Sequence, residues 1–312
     1  MTVHVMNTPM RVVLAGILGA ALTLSACSTA PGRSPRAFAS PEEAVRALND
    51  AVKKEDVAAV LAIFGPQGKE LLDSSDPVSA RRNRAVFAVA FAEGWRLVDE
   101  QGRKWLVIGH EAWPFPVPIV HNANGWQFDT AAGKEEVLAR RIGRNELTAI
   151  RVARAYVVAQ RRYAGDGHDG RRPGLYARTF RSDPGQHNGL YWAAARGERR
   201  SPVGDLLSEA ALERRVNAPP GEPAPFHGYY FRILTAQGEA AVGGAMDYIV
   251  GGEMSRGFAL VAWPAQYDVS GVMTFVVSHE GTVYQGDLGP DTDARAREMT
   301  RYDPDQSWTA AD

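Results

Sequence analysis

The chain has 312 residues, of which 45% are hydrophobic and 23% charged, and its 35 Lys and Arg against 36 Asp and Glu leave a formal net charge of −1. This composition excludes a disordered, collagenous or coiled-coil protein. It also excludes a bulk polycation, so no nucleic-acid partner is expected.

The N-terminus predicts an exported lipoprotein. Met1 to Arg11 is polar, Val12 to Leu24 is apolar or small, and Leu24-Ser25-Ala26-Cys27 follows. The apolar run is shorter than the about 20 residues a membrane-spanning helix needs, but it suits a signal peptide. Small residues before a lone cysteine are similar to a bacterial lipobox, in which the thiol is alkylated with diacylglycerol and the leader over 1–26 is cut away. Acyl chains on Cys27 would then hold the protein on a membrane. Cys27 is also the only cysteine, so an internal disulfide is excluded. Ser28, in place of an aspartate, favours the periplasmic face of the outer membrane under the Gram-negative sorting convention.

Residues 27–39 read as a flexible tether of small residues and proline. Structure is expected from Ser40-Pro41-Glu42-Glu43, where Ser40 caps, Pro41 takes the first helical position and Glu43 closes a capping box. Helices follow over Pro41–Val52, Val57–Phe64 and Pro77–Ala92, the second stopped by Gly65-Pro66. From Trp95 the period changes. Trp95–Val98 pairs with Lys104–Ile108, and Phe115–Val120 pairs with Gly125–Phe128 around Asn122-Ala123-Asn124. This predicts a small α+β domain over 40–130. Its order is similar to the cone-shaped fold of nuclear transport factor 2.

A long helix is expected over Lys134–Tyr163, with Gly143 as a point of division. It carries Lys134, Arg140, Arg141, Arg144, Arg151, Arg154, Arg161 and Arg162 against only Glu135, Glu136 and Glu146. Its apolar face is Val137, Leu138, Ile142, Leu147, Ile150, Val157 and Val158. A loop-rich segment over 165–225 comes next. Strands are then expected at Gly228–Leu234, Gly257–Pro264, Gly271–Ser278 and Thr282–Gln285, with a helix near Thr292–Met299 and a polar tail. The second domain is thus 134–312, a helix on an antiparallel β-meander, and the whole chain is α+β.

Several stretches together resemble a known family. They are Arg140-Arg141-Ile142-Gly143-Arg144-Asn145-Glu146-Leu147, Gly189-Leu190-Tyr191-Trp192, His227-Gly228-Tyr229-Tyr230-Phe231-Arg232, Gly257-Phe258-Ala259-Leu260-Val261-Ala262-Trp263-Pro264 and Asp287-Leu288-Gly289-Pro290-Asp291-Thr292. The series resembles the bacterial family catalogued as domain of unknown function 2950, over essentially the mature chain. That resemblance carries over no catalytic residue and no cofactor. Asn145-Glu146-Leu147, then Ala159-Gln160-Arg161-Arg162-Tyr163, a loop and a meander are similar to type IV pilin and pseudopilin subunits. That implies a pilin-like globular fold. The charged stretch before Asn145 departs from the apolar spine through which pilins polymerise.

No His-Glu-x-x-His, Gly-x-Ser-x-Gly, dinucleotide loop or phosphate loop occurs. Asp166, His168, Asp169 and His187 are metal-ligand types in a glycine-rich segment, but such spacing is permissive and a polar loop is the plainer reading, so no metal and no cofactor are assigned. Asp287, Asp291 and Asp293 fit turns and a helix cap better than a Ca²⁺ site. Tyr229, Tyr230, Phe231, Trp263 and Tyr267 fit sheet core better than a groove. The expected role is therefore non-enzymatic: a lipid-anchored protein binding an envelope protein or an anionic envelope polymer through Arg151, Arg154, Arg161 and Arg162 and the 165–225 segment. The alternative is an envelope hydrolase with an unrecognised active site. A histidine–carboxylate cluster converging within 165–190 would favour the hydrolase, and shallow grooves on a filled core would favour the binder.

Overall fold

A computed structural model describes residues 34–72, 77–194, 197, 200–204 and 225–311. The expected leader, Cys27 and the tether as far as residue 33 lie outside them. No helix among the described residues is long and apolar enough to cross a membrane.

The N-terminal half begins earlier than expected. The tether composition hides one aromatic, Phe38, which is 4% exposed. Phe38 and Trp126 exchange both backbone hydrogen bonds at 2.9 Å, and the Gln127 Nε2 donates to the Pro35 carbonyl at 2.6 Å. Residues 35–39 are thus part of the fold, because burying one phenyl ring outweighs the low apolar content around it.

Helix α1 (Pro41–Lys53) starts as read, with the Ser40 Oγ accepting from the Glu43 N–H at 3.1 Å. The Glu43 carboxylate closes on the Ala39 N–H rather than on that of Ser40. Helix α2 (Val57–Phe64) is capped by Asp56 and ends at Gly65, whose φ of +72° suits glycine. Short α3 (Gly68–Leu72), which carried no clear sequence signal, and α4 (Pro77–Glu93) follow. The strands are β1 (Trp95–Glu100), β2 (Arg103–Ile108), β3 (Trp113–Pro114), β4 (Ile119–Asn122) and β5 (Gly125–Phe128). They form an antiparallel sheet in the order β1-β2-β4-β5, with β3 against β2. The strand expected at Phe115–Val120 starts only at Ile119, since Pro116 and Pro118 have no N–H to give a ladder. Val45, Leu48, Ile63, Leu106, Ile119 and Phe128 are among the core residues of this half.

Helix α5 (Thr130–Asp166) runs 37 residues without a break at Gly143, so it is about 55 Å long. Gly143 has open space beside it and only local propensity to lose, and the packing on either side carries the helix through. Its first turns belong to the N-terminal half. The Thr130 Oγ1 donates to the Phe64 carbonyl at 2.7 Å, Arg140 donates to the Pro114 carbonyl at 2.7 Å, and a Cβ at Gly133 would lie 2.6 Å from Val117. From Ala149 onward the helix serves a second core, burying Ala149, Val152, Ala153, Tyr156, Ala159, Gln160 and Tyr163. Leu147 and Val158, read as part of the apolar face, are instead 59% and 41% exposed.

The remaining strands are β6 (Tyr229–Leu234), β7 (Ala236–Gln237), β8 (Met246–Asp247), β9 (Ile249–Val250), β10 (Glu253–Met254), β11 (Ala259–Pro264), β12 (Met273–Ser278), β13 (Val283–Asp287) and β14 (Thr309–Ala310). The main sheet is antiparallel throughout in the order β14-β13-β12-β11-β6, and β11 is buried at every position. Helix α5 packs on this meander as expected. The motif Asn145-Glu146 docks it: the Glu146 Oε1 accepts from the Val272 and Met273 N–H groups at 2.9 and 3.0 Å, and the Asn145 Nδ2 donates to the Ser270 carbonyl at 2.8 Å. Helix α6 (Thr292–Glu298) packs on β11, and Arg232 on β6 caps its C-terminus by donating to the carbonyls of Ala296, Arg297 and Met299. The expected polar tail instead buries Tyr302 and Ala311 and adds β14 to the sheet.

Candidate functional site

The solvent face of α5 and the loop at its end bring most of the singled-out residues together. A turn of 100° per residue puts Arg144, Leu147, Arg151, Arg154, Val158, Arg161 and Arg162 on one stripe, and all seven are exposed. Arg151 donates to the Thr148 Oγ1 at 2.8 Å, Arg154 to the Ala311 carbonyl at 3.1 Å and Arg161 to the His279 carbonyl at 2.8 Å. Among the described residues, Arg144, Arg151, Arg154 and Arg161 have no carboxylate partner. Arg140, at the start of the face, pairs with Glu136. The stripe is thus cationic with two exposed aliphatic side chains in it. Arg154 and Arg161 also tie the helix to the rim of the meander.

The segment after α5 folds back onto the helix through Gln160, which is completely buried. Its Oε1 accepts from the Ala177 N–H at 2.9 Å and its Nε2 donates to the Ala177 carbonyl at 2.8 Å and to the Tyr156 hydroxyl at 3.1 Å. Burial drives the Tyr156 hydroxyl far above its ordinary pKa, so it stays a neutral donor, here to the Ala259 carbonyl.

Beyond this clamp, two of the four candidate ligand residues meet. The Asp169 Oδ1 lies 3.0 Å from the His187 Nδ1, and the Asp169 Oδ2 accepts from the His187 backbone N–H at 2.6 Å. Partial burial pushes the Asp169 carboxyl up. The hydrogen bonds from His187 and the charges of His187 and His168 outweigh it and hold the group below the ordinary carboxylate range. The pair sits against Trp192, whose ring centroid is 4.6 Å from that of His187 and 5.5 Å from that of His168. His168 stacks on Tyr163 at 4.2 Å, and the Tyr163 hydroxyl donates to the His187 carbonyl.

Asp166 and His168 face a neighbouring pocket of about 300 Å³ instead, lined also by Arg162, Gly165, Trp192, Arg200, Ser201 and Pro202. Among the described residues no group of three or more His, Cys, Asp or Glu side chains is placed to hold a metal ion. Trp192, Arg200 and Ser201 escaped sequence reading as site residues, although Trp192 closes the quoted motif Gly189-Leu190-Tyr191-Trp192.

The other candidates settle into structural roles. Asp287 caps the turn at Gly289, Asp293 pairs with Arg297 and accepts from the Trp263 Nε1, and Asp291 occupies the cap position of α6. Tyr229, Phe231 and Trp263 are core, while Tyr230 packs on Trp263.

The family model described as "Protein of unknown function (DUF2950)" matches residues 35–311. Its start agrees with the packing of the chain from Pro35 onward. No curated protein and no solved structure matches the chain, and the expected likeness to pilin subunits is not confirmed.

Proposed function

The chain belongs to the DUF2950 family, and from that premise we propose that it is a lipid-anchored envelope protein that docks on an anionic envelope partner through the solvent face of α5. The observation that carries this reading is the set Arg144, Arg151, Arg154 and Arg161, which are exposed and whose hydrogen bonds among the described residues run to carbonyls and a hydroxyl rather than to carboxylates. Arginine binds phosphate and carboxylate in a planar, two-pronged way, and Leu147 and Val158 add apolar contact between the charges. The Leu24-Ser25-Ala26-Cys27 sequence supports an acyl anchor at Cys27, which would keep the docking face near its partner at high effective concentration. An outer-membrane location, periplasmic side, fits Ser28.

Charge reversal tests the docking surface. Arg144 and Arg151 are the positions to change, because among the described residues their side chains bond within α5, whereas Arg154 and Arg161 hold Ala311 and His279 in place. Arg144→Glu with Arg151→Glu should reduce co-purification of the crosslinked envelope partner while leaving the thermal midpoint unchanged. Undiminished capture by a folded variant would reject this surface.

The Asp169–His187 pair favours a second reading, an envelope hydrolase. A carboxylate on Nδ1 fixes the tautomer that leaves Nε2 as the ring's acceptor, which is how a general base is prepared. Hydrolysis of a peptidoglycan, ester or glycoside panel, lost on His187→Ala, would establish it in place of the binder.

A further inference from the structure

We propose that the groove between β13, α6 and the segment leading into β14 binds a neutral pyranose, a sugar ring that carries hydroxyl groups and no charge. Its volume of about 440 Å³ falls within the range of small-molecule sites, about 300–1,000 Å³. The inference goes beyond docking on α5 and does not rest on it, since no arginine of the α5 stripe lines this groove.

Trp308 supplies an apolar wall. The residue is half-buried, and its indole lies directly over Gly286 on β13, where an added Cβ would stand 3.1 Å from two of the ring carbons. Glycine at that position leaves room for the ring, so the indole has its seat before any ligand arrives. Leu288 and Met299 extend the apolar surface. An aromatic face carries partial negative charge and the C–H hydrogens on one side of a pyranose are weakly positive, so the two pack together.

The polar lining carries both signs. Asp287, Glu298, Asp303 and Asp305 bring carboxylates, and Arg295 and Arg301 bring guanidinium groups. Most are held by bonds of their own. The Asp287 Oδ1 accepts from the Gly289 N–H, the Asp303 Oδ1 from the Ala240 N–H and the Asp305 Oδ1 from the Ser307 N–H, each at 2.8 Å. Arg295 donates to the Leu288 carbonyl at 2.8 Å, and Arg301 pairs with Asp247 at 3.4 Å. These bonds fix the groups without exhausting them, because a carboxylate accepts at about four positions and a guanidinium donates from several. The mixture of signs selects the ligand class. An anion would face the carboxylates, and a cation would face the guanidinium groups. A hydroxyl donates to the first and accepts from the second, so the neighbouring hydroxyls of an uncharged ring use both. The C–H face of the same ring uses the indole.

The test is titration of the folded protein followed in nitrogen-15 spectra, with the Trp308 indole N–H assigned by its absence in Trp308→Phe. The probes are methyl β-glucoside, methyl β-galactoside and methyl N-acetyl-β-glucosaminide as neutral pyranoses, glucose 6-phosphate as an anion and putrescine as a cation. At least one neutral glycoside should shift the Trp308 signal saturably and bind more tightly than glucose 6-phosphate and putrescine. Glu298→Ala, at an exposed position, should weaken that binding about tenfold, the loss expected for a charge-assisted contact. Gly286→Ala should also weaken it, because the added methyl pushes the indole from its seat. No saturable shift of Trp308 by any of the three glycosides overturns the proposal. So does glucose 6-phosphate or putrescine binding at least as tightly as the best glycoside, or glycoside binding that either folded variant leaves unchanged. The disaccharide of the bound unit distinguishes the sources: binding at least as tight as that of the glycoside marks one unit of a glycan chain, and its exclusion marks a free sugar. Arg144→Glu with Arg151→Glu, which changes none of the lining, separates this site from the docking face. Envelope capture can then fail while glycoside binding stands, and the reverse.

Discussion

Replacing Gln160 with leucine should destabilise the C-terminal half by about 2–4 kcal/mol, because it strands the buried backbone of Ala177. The amide is fully buried and satisfies both polar groups of Ala177 at 2.8 and 2.9 Å, with a further bond to the Tyr156 hydroxyl. Leucine has nearly the same volume, so no large cavity opens. What changes is that one N–H and one C=O lose their partners in a dry site, at about 1–3 kcal/mol each, offset in part because leucine is easier to bury than an amide. Urea unfolding followed by fluorescence reads the stability, and hydrogen exchange at the Ala177 amide reads the bond itself. Gln160→Glu gives an independent check through pH. Burial raises the carboxyl pKa of such a glutamate above its unfolded value of about 4.3. A raised folded pKa means the stabilising, protonated form is fully present below that value and is lost as pH rises through the folded pKa. In acid this variant would donate to the Ala177 carbonyl as glutamine does, and near neutrality it would not. Gln160→Leu within about 0.5 kcal/mol of the parent, or Gln160→Glu with a stability difference independent of pH, would refute the reasoning.

The Asp169 carboxyl should titrate below the ordinary aspartate value of about 3.9 in carbon-13 spectra. Its pKa is depressed, so its contribution is present above the unfolded value and disappears as pH falls through the folded one; a midpoint at or above the ordinary value would contradict the His187 contact. A fragment of residues 134–312 should fold by itself, because the second core is drawn from 149–311 alone. Collapsed, poorly dispersed amide spectra would show that this half depends on the Phe64 and Val117 contacts of the first turns of α5. Cys27→Ala should leave an uncleaved or soluble protein, whereas unchanged membrane fractionation, with no acyl mass on the parent, would remove the anchor.

What the sequence conveyed was chiefly periodic or punctuated. Alternation and turn residues located β6, β11, β12 and β13 to within a few residues, and Ser40 and Asp56 marked the helix starts that they cap. Features decided by distant contacts were not legible. Phe38 sits in a run of small residues and enters the fold only because Trp126 supplies its backbone partners. The tail looked polar because Tyr302, Trp308 and Ala311 are spaced apart, and it becomes strand through pairing with β13. Leu147 and Val158 join the apolar face by residue type alone, yet at about 100° per residue they project opposite the buried Val152, Tyr156 and Tyr163, and they remain on the basic face. The site was half legible for the same reason. The arginines and the four ligand-type residues stood out by type. Which of them meet depends on the loop's return to α5 through Gln160 and Ala177, and that return brings Asp169 to His187 while leaving Asp166 and His168 on the pocket beside Arg200.

The central claim is that the exposed arginine face of α5 is what holds the partner, and the salt dependence of envelope capture tests it most directly. Exposed charges are screened within about 8 Å at physiological ionic strength. Capture by the unmodified protein should therefore fall steadily as salt rises, and Arg144→Glu with Arg151→Glu should both lower it and flatten its slope. Capture that is equal for the two folded proteins and indifferent to salt would contradict the account.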